Sequence, residues 1–272
     1  MMNLFHRLLN LRNQVDYPLR QFFQFRRRIV PLKHKRVLCD YSHLSDLERN
    51  KALQIEDRLA TKYHLEDFKR DSKPGNYYEN IFYLHMLEET FTRLDMILPQ
   101  KILSADIGTS HWFYIQALQA FYTWFMTEQP RQVHLEGYEV DAYRIYADFH
   151  SRFDHALSHI GSLPNIQFIP SRFKEHGGVY DVITLFFPFV FNKDSIEWGL
   201  PQRLHQPEEL LRSAWNSLKP GGVLMIVNQG EDEHHAQLSM LEKESIPVKI
   251  FFRMDPLLFQ YDLCRFIMAA TK

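Results

Sequence analysis

The ten residues Lys101-Ile102-Leu103-Ser104-Ala105-Asp106-Ile107-Gly108-Thr109-Ser110 decide the fold. Their apolar run predicts a buried strand, and the glycine that follows predicts a sharp turn, because a residue without Cβ adopts conformations that other residues resist. The same glycine lets the backbone approach a ligand and point amide groups at it. This stretch therefore predicts a strand that ends at a ligand-binding loop.

Three further signals follow in order along the chain. A second strand ends in Glu139-Val140-Asp141, a third covers residues 180–187, and Leu218-Lys219-Pro220-Gly221-Gly222 turns into a fourth. Strand candidates lie at 102–105, 133–138, 166–169, 179–186, 223–227, 248–253 and 263–270, with helical stretches near 111–127, 141–160 and 207–218. This alternation predicts a doubly wound α/β fold, with a mostly parallel seven-stranded sheet and helices on both faces. Ligands bind to such sheets at the carboxyl ends of the strands.

Residues 1–98 have a different pattern, with apolar residues at intervals of three and four that predict helices. Pro18, Pro31 and the turn Lys73-Pro74-Gly75 are the predicted breaks between these helices. The chain is thus expected to have an N-terminal helical subdomain over 1–98 and an α/β core over 99–272. The start of the last helix, at 76–80, either reaches over the ligand cleft or forms a helix cap with surface tyrosines.

Charge is uneven along the chain, although the formal net charge is only -1. Residues 1–36 hold nine arginines and lysines and a single acid, Asp16, which leaves +8 there and -9 on the remainder. Such a segment can bind nucleic acid or an anionic membrane. We favour instead a basic helix that docks on the acidic body of its own subunit or of a sister subunit in a homo-oligomer, because its apolar residues require burial. These apolar residues are Leu4, Phe5, Leu8, Leu9, Leu11, Phe22, Phe23 and Phe25.

The bulk composition is that of a globular protein, with 45% hydrophobic and 24% charged residues. Cys39 and Cys264, the two cysteines, lie far apart and lack the Cys/His spacing of a zinc site, so neither a metal nor a disulfide framework is expected. No run approaches the roughly 20 apolar residues that span a bilayer. Arg7, Arg12 and Asp16 interrupt the apolar stretch that a signal peptide would need. These features favour a cytoplasmic location.

Taken in this order, the four strand signals resemble the core of class I S-adenosylmethionine-dependent methyltransferases. The resemblance covers residues 99–272, which it identifies as a Rossmann-like methyltransferase core, and it implies S-adenosylmethionine as the cofactor. In that superfamily, the loop after the first strand cradles the methionine and ribose end of the cofactor. An acid at the end of the second strand accepts hydrogen bonds from the ribose hydroxyls.

The loop after the first strand departs from the family pattern. Ser110 and Trp112 stand where further glycines are usual, so a bulkier or differently shaped loop is expected. The sequence also disfavours a nicotinamide dinucleotide, whose G-x-G-x-x-G turn must admit a pyrophosphate. Ser110 and Phe113 occupy the second and third glycine places of that turn.

The resemblance implies a set of cofactor contacts. Glu139 matches the ribose acid, whereas Asp141, the nearby alternative, suits a cap of the following helix better. The acid that often binds the adenine amino group is missing, and Pro170-Ser171-Arg172-Phe173 stands in its place, so Ser171 or the backbone around it is the candidate. The expected cofactor-binding residues are Asp106, Gly108, Thr109, Ser110, Glu139, Val140, Ser171, Arg172 and Phe187.

The strand over 180–187 leads into Leu185-Phe186-Phe187-Pro188-Phe189. This run is similar to the Asn/Asp-Pro-Pro-aromatic motif of amino-group methyltransferases but does not match it, because the leading polar residue is absent. Amino-group activity is therefore not carried over. The aromatic residues are interpreted as walls of the cleft or as core.

Methyl transfer from a sulfonium is a direct displacement that needs a base only if the acceptor must lose a proton. By position, the candidate bases are His111, beside the cofactor loop, and Asp194 and His205, in the long connection 192–207. That connection and the N-terminal helices would enclose the site, which favours a small-molecule acceptor. Two alternatives stay open: an RNA methyltransferase that uses the basic N-terminus, and a protein that binds S-adenosylmethionine but has lost catalysis with its altered glycine loop.

Overall fold

A computed structural model describes residues 4–27 and 41–272 of the chain. Before the first strand, these residues form helices α1 (Leu4–Phe23), α2 (Asp46–Lys62), α3 (Glu66–Asp71) and α4 (Pro74–Arg93). The strands are β1 (Lys101–Ile107), β2 (Gln132–Tyr138), β3 (Ile166–Ile169), β4 (Tyr180–Phe186), β5 (Leu218–Gln229), β6 (Val248–Arg253) and β7 (Arg265–Thr271). Between the strands lie helices α5 (Ile115–Trp124), α6 (Arg152–Ile160), α7 (Asn192–Glu197), α8 (Pro207–Ser217) and α9 (Gly230–Lys243).

All seven strands join one sheet in the order β3-β2-β1-β4-β5-β7-β6. The strand pairs from β3 through β5 are parallel, whereas β7 runs antiparallel to both β5 and β6. Two adjacent parallel strands need a crossover connection, usually a helix. Residues 254–264, which join β6 to β7, contain no helix, so these two strands run antiparallel. The predicted seven-stranded α/β fold is confirmed, and the sheet is mixed because of this last strand.

Apolar side chains cover both faces of the sheet, as buried parallel strands require. Along β5, Val223, Met225 and Val227 belong to the core cluster that includes α4 and α5. Leu224 and Ile226 alternate with them and belong to the cluster that includes α8 and α9. Helices therefore pack on both sides of the sheet, as the alternating pattern predicted.

Two of the predicted helix breaks can be compared with the structure. Pro18 lies inside α1, so the predicted break there is wrong. The missing amide of a proline removes one helical hydrogen bond, but side chains on both sides of Pro18 hold the helix to the body. Pro74 occupies the first turn of α4, where proline is tolerated, so that break is confirmed. Pro31 lies outside the described residues.

The helix predicted over 141–160 is wrong in its first half. α6 begins only at Arg152, because Ser151 and Asp154 form a capping box in which each side chain accepts the backbone N–H of the other. Residues 141–151 form turns instead, closed by an isolated bridge between Ile145 and Ser151. The apolar spacing continued across this cap and concealed the start of the helix.

Helix α1 docks on acidic groups of its own chain, as expected, but not through its apolar residues. Asn13 donates to the Ile196 and Leu200 carbonyls at 2.8 and 3.0 Å, and Arg20 pairs with Asp141 at 3.1 Å. The apolar side chains that were expected to drive docking are exposed, apart from the half-buried Leu9, so they do not drive docking on the body of this chain. Their burial against a sister subunit stays a prediction. The basic residues Arg28, Lys33, Lys35 and Arg36 lie outside the described residues, as does Cys39.

Within the described residues, no helix has both the length and the apolar character to cross a lipid bilayer.

Helix α4 packs directly against the α/β core. Twelve of its 20 residues are buried. Tyr83 stacks on Tyr114, with 4.6 Å between the ring centroids, and Phe91 contacts Phe121 of α5 at 5.0 Å. The boundary between a helical subdomain and the core at residue 98 stays a prediction, since α4 shares one hydrophobic cluster with the sheet.

Asn80 joins α4 to the beginning of α5. Its fully buried amide oxygen accepts the Ala117 N–H at 3.0 Å, and its amide nitrogen donates to the Phe113 and Asn76 carbonyls at 2.9 and 2.8 Å. Tyr114, at the N-cap position of α5, makes no capping hydrogen bond with its own side chain. Asn80 therefore caps α5 from the neighbouring helix.

We expect Asn80→Ala to lower the free energy of unfolding by about 2 kcal/mol, because buried backbone groups would lose their partners. Equilibrium urea unfolding measures this change. Asn216→Ala is the matched control, since its amide donates to the exposed Glu175 carboxylate at 3.0 Å, and it should cost less than about 1 kcal/mol. Equal losses in the two variants would contradict the capping role.

Candidate active site

A cavity of about 720 Å³ opens at the carboxyl ends of β1, β2 and β4. One half is formed by the loops that follow β1, β2 and β3. The other half is formed by the residues after β4, by α7, and by the segment 200–210. This is the edge of the sheet at which the strand pattern predicted a ligand site.

The cavity brings together most of the residues singled out in the sequence. Asp106 does not line the cavity, and the other expected cofactor-binding residues do. The residues that line it are Gly108, Thr109, Ser110, Glu139, Val140, Ser171, Arg172 and Phe187, together with the candidate bases His111, Asp194 and His205. Their roles stay predictions.

The loop after β1 passes through the left-handed backbone region three times. Gly108, Ser110 and Trp112 have φ angles of 81°, 53° and 52°. Ser110 and Trp112 therefore adopt a left-handed backbone conformation at the positions where glycines are usual in the superfamily. Because a residue with a Cβ loses on the order of 1–2 kcal/mol in this region, other contacts must hold the loop.

Trp112 supplies those contacts from beneath the loop. Its indole is fully buried, and its Nε1 donates to Asp106 Oδ2 at 2.8 Å. The far edge of the ring lies against Gly137 of β2, where a Cβ would stand only 2.5 Å from it. Thr184 of β4 donates to the other Asp106 oxygen at 2.6 Å. Trp112 and Asp106 therefore tie the loop to β1, β2 and β4 together.

Asp106 lies below the cavity rather than in its wall. Burial raises the pKa of its carboxyl to about 7, while hydrogen bonds from Thr184, Tyr114 and Trp112 oppose the shift. This side chain supports the loop. A direct cofactor contact by Asp106 stays a prediction.

Glu139 lies just after β2, with a nearly buried carboxylate in the cavity wall. Its Oε2 accepts the Ser110 N–H at 2.7 Å and its Oε1 accepts the Asp141 N–H at 2.8 Å. The guanidinium of Arg152 supplies an opposite charge 3.6 Å from Oε1. A carboxylate has about four lone-pair sites, so each oxygen keeps a further site for hydroxyl donors.

Asp141 does not cap α6, and that expectation is wrong because α6 begins too far along the chain. Its fully buried carboxylate pairs with Arg20 of α1 at 3.1 Å and lies 3.6 Å from Arg152 of α6. Burial raises the pKa of this carboxyl, and the two arginines oppose the shift. Asp141 therefore joins two helices beside Glu139.

The end of β3 completes the cofactor half of the cavity. The Ser171 N–H donates to the Ile169 carbonyl at 2.8 Å, which turns the chain sharply after the strand. Arg172 hydrogen-bonds Gln206 and lies 3.3 Å from Glu209, so it connects this loop to the start of α8. The residue that follows the adenine candidate Ser171 therefore holds the opposite wall of the cavity.

The other half of the cavity is apolar and acidic. Phe186, Phe187, Phe189 and Trp198 line it, which confirms that the aromatic residues after β4 are cleft walls. The Phe189 and Trp198 rings lie 5.8 Å apart. Three carboxylates also line this half of the cavity: Asp194, Glu197 and Glu233.

Burial shifts the ionisation of the polar groups in this half. It lowers the pKa of His205, against the opposing effects of the Glu208 and Asp194 carboxylates. It raises the pKa of Asp194 and of Glu233 above their ordinary values. Within residues 4–27 and 41–272, no group of three or more His, Cys, Asp or Glu side chains is arranged to hold a metal ion.

Sequence reasoning missed Tyr83 and Tyr114, which stack on each other and line the cavity. Tyr83 has the helical spacing of a core residue, and no local signal reveals that its ring also faces the cleft. The helix start at 76–80, which was expected to reach over the cleft or to carry surface tyrosines, does neither. None of these five residues lines the cavity, and Tyr77 is buried.

No protein-family model and no curated protein matches the sequence. A SAM-dependent methyltransferase from Aquifex aeolicus has a similar fold, with 16% identity, a TM-score of 0.48, and coverage of 68% of this chain and 88% of that one. For a SAM-dependent methyltransferase from Leishmania major, the identity is 11%, the TM-score 0.47 and the coverage 84% and 87%. For the [4+2]-cyclase SpnF, the identity is 11%, the TM-score 0.46 and the coverage 70% and 80%.

These likenesses concern the fold alone. The first two solved structures carry the name of the superfamily that the sequence resembles, and the third carries the name of a different reaction. One fold can host more than one chemistry. The activity of this chain therefore depends on the residues of its own cavity.

We expect Gly137→Ala to destabilise the fold by about 1–3 kcal/mol, because the added methyl would overlap the Trp112 ring. Urea unfolding measures the loss, and in a Trp112→Leu background it should shrink. Gly108→Ala is the contrasting control, since its Cβ would meet no atom within 4 Å and the cost comes only from its φ of 81°. If Trp112→Leu relieved both glycine substitutions equally, the proposed contact would be excluded.

Proposed function

We propose that this protein is an S-adenosylmethionine-dependent methyltransferase that acts on a small neutral or cationic acceptor. The observation that carries the proposal is the Glu139 carboxylate at the end of β2, which faces the cavity and is bonded to the Ser110 N–H of the neighbouring glycine turn. An acid at that place is suited to both hydroxyls of a ribose.

The residues of the cofactor half fit this group. A Cβ on Gly108 would meet no atom within 4 Å, so the backbone is open to a ligand there. The buried Thr109 hydroxyl has no hydrogen-bond partner within the described part of the chain, and it lines the cavity. Gly108 to Ser110 would hold the methionine end, Glu139 the ribose, and Ser171 with Phe173 the adenine.

S-adenosylmethionine, when bound, supplies an electrophilic methyl group on a positively charged sulfur. The task of the chain is to hold the acceptor atom in line at roughly 3–3.5 Å and to exclude water. Phe187, Phe189 and Trp198 give the acceptor half apolar walls for this purpose. Aromatic faces also favour cations nearby.

The charges of the acceptor half support a small acceptor rather than RNA. Asp194, Glu197 and Glu233 line this half, and carboxylates repel a phosphate backbone. Arg172 is the cation that lines the cavity in the described part of the chain. An RNA methyltransferase remains the alternative if a basic surface outside the cavity holds the nucleic acid. A binding protein without catalysis remains the alternative if the acceptor half admits no ligand.

His205 is the candidate that best suits a general base. Because burial lowers its pKa, its imidazole is neutral at neutral pH and can accept a proton. Asp194 and Glu208 are the carboxylates that favour its protonated form. His111 is less suited, since its Nδ1 lies 3.3 Å from both the Ser110 and Tyr146 hydroxyls in the cofactor half.

We expect S-adenosylhomocysteine to bind the wild-type chain and Glu139→Gln to weaken binding about tenfold to a hundredfold, because a charged acceptor of hydrogen bonds is lost. Isothermal titration calorimetry measures both affinities. Glu136→Gln is the matched control: Glu136 lies on β2, is not among the residues that line the cavity, and accepts hydrogen bonds from Tyr138 and Tyr180. Absence of binding by the wild type would refute the cofactor assignment, and equal losses in both variants would refute the role of Glu139.

We expect the His205 imidazole to titrate below the usual histidine pKa, and Asp194→Asn to lower that pKa further because a carboxylate that stabilises the imidazolium is removed. NMR titration of the histidine ring signals measures this, with His205→Gln to assign the resonance. His43→Gln is a control for the assignment, since His43 is exposed and distant in sequence. A His205 pKa at or above about 6.5 would contradict the expected effect of burial on this imidazole.

A further inference from the structure

Helix α1 turns its apolar face to the solvent and its polar face to the protein, whereas a helix that packs on a core does the reverse. Six apolar side chains form one stripe along it: Leu4, Leu8, Leu11, Val15, Leu19 and Phe22. Between 49% and 80% of the surface of each is exposed. Their spacing of three and four residues places them on one side of the helix, so the stripe is a continuous apolar surface that faces away from the protein.

The opposite side of α1 is polar and is fixed to the body. Asn10 accepts the Gln202 N–H at 2.8 Å, and Tyr17 donates to the Val140 carbonyl at 3.2 Å. Asn13 and Arg20 make the contacts with residues 196–200 and with Asp141. The helix cannot roll to bury its stripe without losing these bonds. The exposed apolar stripe is therefore held in place by the docked polar face.

Positive charge borders the stripe. With about 100° between successive residues, Arg7 and Arg12 fall on its two sides, and both are exposed. Phe25, Arg26 and Arg27 follow the end of the helix and are exposed as well. An apolar helix face with phenylalanine at its C-terminal end and arginine along its borders has the composition of a helix that lies in the interface of a membrane.

We propose that α1 docks this protein on the surface of an anionic phospholipid bilayer. The stripe would enter the boundary between headgroups and acyl chains, and the bordering arginines would contact lipid phosphates. The docked face contacts Val140 and Leu200, which line the cavity. The candidate active site would then lie about one helix diameter, roughly 10 Å, from the lipid.

Charge makes a second copy of this chain the poorer partner for the stripe. If two copies paired through their α1 helices, the arginines that border each stripe would approach one another. Asp16 is the single acid of α1, and it already pairs with Arg12 at 2.9 Å. Anionic headgroups would supply opposite charge to Arg7 and Arg27.

Vesicle flotation with the full chain tests this proposal. We expect the protein to bind vesicles of phosphatidylcholine mixed with phosphatidylglycerol, to bind phosphatidylcholine alone weakly, and to be released as salt is raised. Leu8→Ser with Val15→Ser should lower binding to the anionic vesicles at least about tenfold. Arg7→Gln with Arg12→Gln should remove most of the preference for anionic lipid.

The controls separate a membrane contact from other causes. Leu47→Ser and Ile97→Ser remove side chains that are 81% and 86% exposed but lie outside α1, and they should leave binding unchanged. Thermal unfolding of every variant should match the wild type, because the substituted residues are exposed. If the unfolding temperature of a stripe variant differs from that of the wild type, the variant Arg7→Gln with Arg12→Gln tests the same surface without removing apolar groups.

Three results would overturn the proposal. The first is a wild-type chain that floats with neither vesicle, and the second is equal loss of binding in the stripe and control variants. The third is a dimer in sedimentation velocity that Leu8→Ser with Val15→Ser converts to a monomer, since a second copy would then cover the stripe. None of these measurements depends on cofactor binding, so failure of the proposed function would leave this test unaffected.

Discussion

The hydrogen bond from the buried Trp112 indole to the Asp106 carboxylate is the contact on which the candidate site depends. The loop above it holds Ser110 and Trp112 in the left-handed region, at a cost on the order of 1–2 kcal/mol each. A hydrogen bond contributes about 0.5–1.5 kcal/mol and more when its acceptor is ionised, and burial of an indole adds more. These gains offset the strain. The loop thus keeps its bend, and the Ser110 N–H stays aimed at Glu139.

A second constraint comes from buried charge beside this loop. Asp141 is fully buried, and its charge would destabilise the fold without the guanidinium groups of Arg20 and Arg152. One of these arginines belongs to α1 and the other to α6, so the charge cluster fixes two helices next to Glu139. The same cluster determines which face of α1 meets the body. The polar face is docked, and the apolar face is consequently left outside.

The strands were predictable because each of them buries apolar side chains over a short run bounded by turn residues. β3 and β6 begin and end where the pattern placed them, and β1, β2, β4 and β7 differ from it by one or two residues at their ends. β5 begins at Leu218, five residues before its predicted start, so the turn predicted over 218–222 belongs to the strand. Errors arose where a local contact overrode the periodicity. The capping box at Ser151 and Asp154 delays α6, and the bonds of Asn13 and Arg20 carry α1 through Pro18.

By itself, the sequence determined the α/β fold, the edge of the sheet that holds the cavity, and the candidate residue Gly108, because strand periodicity and glycine turns are local properties. Glu139 became a candidate through the resemblance to the methyltransferase superfamily. Only the tertiary structure decided that Asp106 lies beneath the loop, that Tyr83 faces the cleft, and that the stripe of α1 points outward. Each of these outcomes depends on contacts between residues far apart in the chain, such as Arg20 with Asp141. The energies of such contacts leave no periodic trace in the sequence.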